Sequence, residues 1–98
     1  MAQKTDIRDL QENMGNLTII ARVEEKSQEV LKDGKIATYA IIADETGSIK
    51  LNLQGDQIEQ VKLGQTIRVS GVFTEVNKGF LEISSWTDIK LVKEDRIF

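Results

Sequence analysis

Residues 35–54 read KIATYAIIADETGSIKLNLQ and carry the pattern of a β-hairpin along their whole length. The segment Asp44-Glu45-Thr46-Gly47 has the composition of a tight turn, in which Gly47 can take the positive φ of a bulged hairpin. The turn separates predicted strands at Lys35–Ala43 and Ser48–Gln54. In the second strand, apolar and polar residues alternate with the period of a half-buried strand, so that Ile49, Leu51 and Leu53 face inward and Lys50, Asn52 and Gln54 face outward.

Outside this hairpin, the same criteria predict three more strands and one short interior helix: the strands are Leu17–Val23, Thr66–Phe73 and Phe80–Ser84, and the helix is Gly55–Leu63. Gly64 is a candidate C-cap of the helix. Gly71, inside the fourth strand, predicts a bulge or bend. Three strands, one helix and two further strands form the layout of the OB barrel. The sequence therefore predicts an all-β, five-stranded Greek-key OB fold with a short helix between strands 3 and 4.

The ends and loops complete this prediction. Asp6–Met14 is predicted to form a short helix or turn, Val76–Gly79 a hairpin loop, and Trp86–Val92 an extended segment that closes over the barrel. The chain has no proline, no Ser/Gly-rich tract and no internal repeat. Residues 1–98 are therefore predicted to form one domain.

Composition excludes several classes of function. The 98 residues contain neither cysteine nor histidine, so that a disulfide framework, a thiol nucleophile and the commonest zinc ligands are excluded. No apolar run is long enough to span a bilayer, and the N-terminus lacks the hydrophobic stretch of a secretory signal. We therefore predict a cytoplasmic protein without a cofactor.

Acidic residues provide no catalytic constellation. Asp44 and Glu45 are adjacent, but they lie in the hairpin turn, where aspartate is favoured for its hydrogen bonds to the backbone. Asp88, Glu94 and Asp95 are scattered and are interpreted as solvated surface. No Gly-rich phosphate loop is present. The sequence therefore predicts a non-catalytic protein.

A binding surface is better supported, because OB barrels hold single strands across the face of strands 2 and 3 and the adjoining loops. Alternation and loop position predict these members of that surface: Arg22, Tyr39, Lys50, Asn52, Gln54, Asn77, Lys78 and Phe80, with Lys26, Lys32 and Lys35 around the first loop. Phe80 is a candidate for base stacking, whereas Phe73 either fills the core or stacks on a base. Trp86 is interpreted as a plug at the end of the barrel in preference to a ligand contact. Arg22 and Lys50 have the alternative of being solvated strand positions.

Four segments resemble a known family: Leu17–Val23 (LTIIARV), Ala43–Leu51 (ADETGSIKL), Val61–Gln65 (VKLGQ) and Asn77–Gly79 (NKG). They resemble the OB domains of archaeal replication protein A and the short archaeal single-stranded DNA-binding proteins. The resemblance runs from about Ile7 to Trp86. It implies single-stranded DNA as the partner, and it leaves open RNA, other replication or repair proteins and further OB domains.

The resemblance also implies roles for individual residues. Arg22 matches a basic position late in strand 1, Phe73 an aromatic base platform in strand 4, and Lys78 a loop lysine. Gln54 and Asn77 depart from the family pattern, because aromatic residues often stand at or near both places. Base stacking contributes about 1–3 kcal/mol per base, so that losing two platforms predicts binding weaker by roughly a hundredfold or more.

Two functions therefore compete. A net charge of −3 and the two absent aromatic residues favour an OB module for protein–protein interaction or oligomerisation, since phosphate neutralisation usually supplies much of the affinity for nucleic acid. The intact family turn, Arg22, Phe73 and the loop lysines favour a single-stranded DNA-binding module of replication, repair or recombination. We take the second as the prediction.

Overall fold

Seven strands, a short helix and a 3₁₀ turn make up the computed structural model, which describes residues 4–28, 30–32 and 34–92, without the side chains of 30–32, 35 and 36. The strands are β1 (Leu17–Lys26), β2 (Val30–Lys32), β3 (Lys35–Asp44), β4 (Gly47–Leu53), β5 (Thr66–Asn77), β6 (Phe80–Ser85) and β7 (Lys90–Leu91); the helix is α1 (Gln57–Gln60), and the 3₁₀ turn is Ile7–Asp9. Neighbouring strands follow the order β1-β3-β4-β6-β5, and β5 pairs back with β1. Five strands thus close into a barrel with the helix between its third and fourth strands, which confirms the predicted OB architecture.

The core fills the barrel with the inward residues of every long strand. Ile19, Ile42, Leu51, Ile67 and Ile83 are fully buried. Residues outside the strands complete this core: Ile7, Leu10, Val61 and Ile89. Alternation of inward apolar side chains therefore leaves a second, outward side-chain set on each strand, and these outward sets form the barrel surface.

The turn between β3 and β4 is held by the side chain of Asp44. Its Oδ1 accepts hydrogen bonds from the backbone N–H groups of Thr46 and Gly47, and its Oδ2 accepts one from the N–H of Ile7 at 2.9 Å. Burial acts to raise the pKa of Asp44, but the bonds from Thr46, Ile7 and Gly47 outweigh it and hold the pKa below its ordinary value. The turn interpretation is confirmed. The positive φ expected at Gly47 is wrong, because no residue of the turn has one.

The interior helix is shorter than predicted. It ends at Gln60, because Val61 turns to an extended conformation (φ −101°, ψ 122°) and enters the core. Gly64 does not cap the helix; it has a φ of +85° and donates its N–H to the carbonyl of Val23 at 2.9 Å. Leu63, the last residue of the predicted helix, is 66% exposed.

The strands extend beyond their predicted limits. β1 continues to Lys26, and β2 adds a short hairpin to β3. β5 continues to Asn77, so that the loop before Phe80 shrinks to Lys78 and Gly79, both at positive φ, as in a type I′ hairpin turn. The predicted irregularity at Gly71 is confirmed by its φ of +61° and by the register shift between β1 and β5. No helix in the described part of the chain is long and apolar enough to cross a membrane.

Candidate nucleic-acid interface

Four neighbouring strands present one continuous outer surface, here named the β3–β4–β6–β5 face. Strand register brings its members side by side in the pairs Tyr39–Asn52, Lys50–Glu82, Glu75–Glu82, Phe73–Ser84 and Asn77–Phe80. On β6, Phe80 alternates with Leu81 and Ile83, which point toward the core. The face therefore carries Tyr39, Lys50, Asn52, Phe73, Asn77 and Phe80 of the predicted site.

A groove of about 540 Å³ crosses part of this face. It is lined by Tyr39, Lys50, Asn52 and Asn77, together with Ser27, Gln28, Ala37 and Thr38. Its lining residues come from the paired strands β3 and β4, from the segment that follows β1 and, with Asn77, from the end of β5. Four of the side chains predicted from the sequence thus meet in one concave site.

Among the described side chains that line the groove, Lys50 is the cation, and it has two partners. Its Nζ lies 4.4 Å from the ring centroid of Tyr39 and 3.6 Å from Oε2 of Glu82. Both contacts follow from register, because Lys50 is diagonal to Tyr39 on β3 and directly opposite Glu82 on β6. Much of its positive charge is therefore balanced within the protein.

Two carboxylates that were not predicted from the sequence, those of Glu75 and Glu82, lie within the face. Asn52 Nδ2 donates to Glu75 Oε2 at 3.1 Å and to Glu82 Oε1 at 2.9 Å, and Ser84 Oγ donates to Glu75. Glu82 could have been found, because it lies between the inward residues Leu81 and Ile83 and therefore on the outward side of the strand. Glu75 could not be placed, because the fourth strand was predicted to end at Phe73.

The aromatic side chains form a second feature of the face. Phe73 is half-buried on the outer surface and stacks on Trp86, with ring centroids 4.9 Å apart and planes 21° from parallel. Phe80 is 73% exposed, as its predicted orientation requires. The interpretation of Trp86 as a plug is wrong, because its side chain is 76% exposed; Ile89 enters the core instead.

Gln54 lies beyond the end of β4 in a separate depression of about 370 Å³. The depression is lined by Gln54, Gly55, Asp56, Gln57, Trp86, Thr87 and Asp88. Gln54 Nε2 donates to the carbonyl of Ser85 at 3.1 Å. Gln54 therefore adjoins the aromatic pair and is not a member of the groove around Lys50.

The remaining predicted cations are dispersed. Arg22 lines a third depression of about 280 Å³ near the β3–β4 turn, together with Lys4, Asp44 and Glu45. Lys78 occupies the exposed β5–β6 hairpin with a φ of +55°. The ammonium group of Lys26 donates a hydrogen bond to the carbonyl oxygen of Ile58. The side chains of Lys32 and Lys35, like residues Glu94 and Asp95, lie outside the described part of the structure.

A family model described as single-stranded DNA binding protein Ssb-like, OB fold, matches residues 9–91. The chain belongs to this Ssb-like OB-fold family. Its resemblance to archaeal single-stranded DNA-binding proteins and replication protein A is thereby confirmed.

Individual relatives and solved structures also resemble this chain in sequence or fold. Single-stranded DNA binding protein Ssb of Saccharolobus solfataricus is 30% identical over 91 residues, which are 89% of this chain and 62% of that protein, so that the chain spans less than two thirds of its length. A domain of replication protein A from Methanococcus maripaludis has a TM-score of 0.76 at 28% identity, covering 92% of this chain and 96% of that domain. An OB domain from Thermoplasma acidophilum shares the fold, with a TM-score of 0.76 at 19% identity over 97% of this chain and 92% of that one.

The face of this Ssb-like domain therefore offers flat aromatic surfaces and amide hydrogen-bonding groups, and its described cation Lys50 is paired with Glu82. Within the described residues, no three acidic side chains come together as a metal site would require. The carboxylates of Glu75 and Glu82 would repel phosphate. Asn52 Nδ2 already donates to both of them, but its Oδ1 can accept a hydrogen bond from a base edge. The arrangement suits bases on the face and phosphates at its margins.

Proposed function

We propose that the chain is a non-catalytic module that binds single-stranded DNA on the β3–β4–β6–β5 face, in replication, repair or recombination. The observation that carries this proposal is the exposure of Phe80 on the same face as Tyr39 and the groove. Exposed aromatic rings cost free energy in water, and they supply the sequence-tolerant stacking that non-specific single-strand binders use. The Saccharolobus solfataricus relative is a single-stranded DNA binding protein, which supports the same ligand.

In this proposal, Phe80, Tyr39 and Phe73 are the stacking surfaces. Asn52, Gln54 and Asn77 hydrogen-bond base edges. The phosphate contacts come from Lys78 in the hairpin, Arg22 at the far end of the barrel and the exposed part of Lys50. RNA as a ligand, partner proteins of replication or repair and a cytoplasmic location stay predictions from the sequence.

The test is a titration of fluorescein-labelled oligo(dT), about 16 nucleotides long to cover the upper site size of one OB fold, followed by anisotropy at low and moderate salt. Phe80→Ala should weaken binding about 5- to 150-fold, the effect of one stacked base. Leu63→Ala is the matched control, because Leu63 is equally an exposed apolar residue but follows α1, away from the face. Absence of binding by the unaltered protein at low salt would overturn the proposal. Equal losses in the two variants would show that the face is wrong.

The second candidate is an OB module for protein–protein interaction or oligomerisation. Glu75 and Glu82 favour it, since both carboxylates lie within the face where a phosphate backbone would be repelled. This candidate predicts no DNA binding at low salt and a self-association that sedimentation equilibrium detects. Phe80→Ala would then weaken the association while Leu63→Ala would not.

A further inference from the structure

Trp86 is the most exposed large aromatic side chain in the described part of the protein, at 76%. It follows Phe80, Glu82 and Ser84 at the same two-residue spacing, just beyond the end of β6. Its indole therefore extends the outward row of β6 past the end of the strand. An exposed tryptophan on a structured surface calls for a reason, because burying such a ring removes a large apolar area from water.

The backbone on both sides of Trp86 is fixed by hydrogen bonds. Gln57, whose side chain is buried, donates Nε2 to the carbonyls of Ser85 and Thr87 at 2.9 and 2.8 Å. The N–H of Thr87 donates to Ser85 Oγ at 3.1 Å, and Thr87 Oγ1 donates to the carbonyl of Ser70 at 2.9 Å. The exposure of Trp86 is therefore a defined position and not the result of a loose segment.

The ring itself is oriented by Phe73. The two rings are stacked at 4.9 Å, so that Phe73 covers one face of the indole, and the high exposure of Trp86 leaves the rest open to solvent. A preoriented flat ring with one free face is what a nucleobase needs for stacking, since little conformational entropy is lost when it binds.

Polar groups lie beside this free ring. The depression of about 370 Å³ next to Trp86 is lined by the carboxamide of Gln54 and the carboxylate of Asp56. These groups can accept or donate hydrogen bonds at the edge of a base. A protein partner that covered the indole would favour an apolar surround, whereas the side chains of Gln54, Asp56 and Thr87 border this ring, which favours a base as the occupant.

We propose that Trp86, backed by Phe73, is a base-stacking platform that lengthens the interface beyond the end of β4. This inference rests on the proposed function and adds a subsite to it. The strand would run from the groove at Tyr39 across the face to Trp86, with one base against the indole and its edge toward Gln54.

Two readouts on the same oligo(dT) test the proposal. Trp86 is the only tryptophan of the chain, so that stacking should quench the intrinsic fluorescence at the concentrations at which the anisotropy of labelled DNA rises. Trp86→Ala should weaken binding about 5- to 150-fold. Trp86→Phe should retain most of the affinity, whereas Trp86→Leu, which keeps an apolar side chain over Phe73, should lose it. Leu63→Ala again serves as the control.

The outcomes separate the inference from the function on which it rests. If the unaltered protein shows no anisotropy change at low salt, the proposed function fails and the subsite fails with it. If the protein binds DNA without a change in tryptophan fluorescence, the subsite alone is refuted. Binding by Trp86→Leu as tight as by the unaltered protein would refute it too. Circular dichroism identifies any variant that does not fold. In that case the tryptophan fluorescence of the unaltered protein decides, because its quenching by oligo(dT) needs no variant.

Discussion

Replacing Glu82 by glutamine should strengthen DNA binding, although it removes a charged hydrogen-bonding group from the face. Glu82 Oε2 lies 3.6 Å from Lys50 Nζ, and the Glu82 side chain is only 8% exposed against 36% for Lys50. The carboxylate therefore holds the ammonium from beneath and competes with any phosphate for it. The carbonyl oxygen of a glutamine can still accept the 2.9 Å hydrogen bond from Asn52, so that the network of the face is retained.

The size of the effect follows from counterion release. Each phosphate of a single strand that a protein cation neutralises makes the slope of log K against log salt more negative by about 0.7. If Glu82→Gln releases Lys50 for one phosphate, the slope steepens by about 0.7, and affinity at 0.1 M salt rises about fivefold relative to that at 1 M. Loss of a negative charge from the face acts in the same direction.

The assay is anisotropy of labelled oligo(dT) over a salt series for the unaltered protein and two variants. Glu59→Gln is the matched control, because it makes the same change of charge on an exposed residue of α1, away from the groove. Glu82→Gln should show the steeper slope and Glu59→Gln a slope close to that of the unaltered protein. Equal slopes for both variants would refute the reasoning, as would a lower affinity of a folded Glu82→Gln protein at low salt.

Two stability predictions follow from the β-hairpin and the groove. Bonds from Thr46, Ile7 and Gly47 lower the pKa of Asp44, so this carboxylate stabilises the fold above its unfolded pKa and loses that contribution as pH falls through the folded value. Asp44→Asn should lower the free energy of unfolding by about 1.5 kcal/mol at pH 7. This difference from the unaltered protein should shrink below pH 3.8. A difference in urea unfolding that stays constant from pH 7 to 3 would contradict the prediction. The Thr38 hydroxyl is buried without a hydrogen-bond partner among the described residues, so Thr38→Val should raise the free energy of unfolding by about 1 kcal/mol, and a lower melting temperature would show that the hydroxyl is satisfied.

The barrel could be predicted from the sequence because its signals are local and repeated. Alternation, the Asp44–Gly47 turn and Gly71 each act within a few residues, and all of them agree on one strand order. The length of the helix was overestimated, because the contacts that end it are not local in the sequence. Its end at Val61 is set by burial of that side chain in the core and by the bonds of Gln57 to a distant strand end, which no local pattern reveals.

The candidate site could be predicted only in part. Tyr39, Lys50 and Asn52 were found because alternation fixes which face of a strand a side chain occupies. The ion pair between Lys50 and Glu82 could not be predicted, because it depends on the parallel register between β4 and β6. The exposure of Trp86 likewise depends on tertiary hydrogen bonds that hold the segment after β6.

The proposed function requires an acidic chain to bind a polyanion. A net charge of −3 offers no general attraction for phosphate, and within the groove Lys50 is balanced by Glu82. In the proposed complex, most of the free energy of binding would therefore come from stacking on Tyr39, Phe80 and the pair of Phe73 with Trp86. In that complex, Glu75 and Glu82 in the middle of the face would orient the strand, because they would repel its phosphates toward the margins and leave the bases to contact the rings.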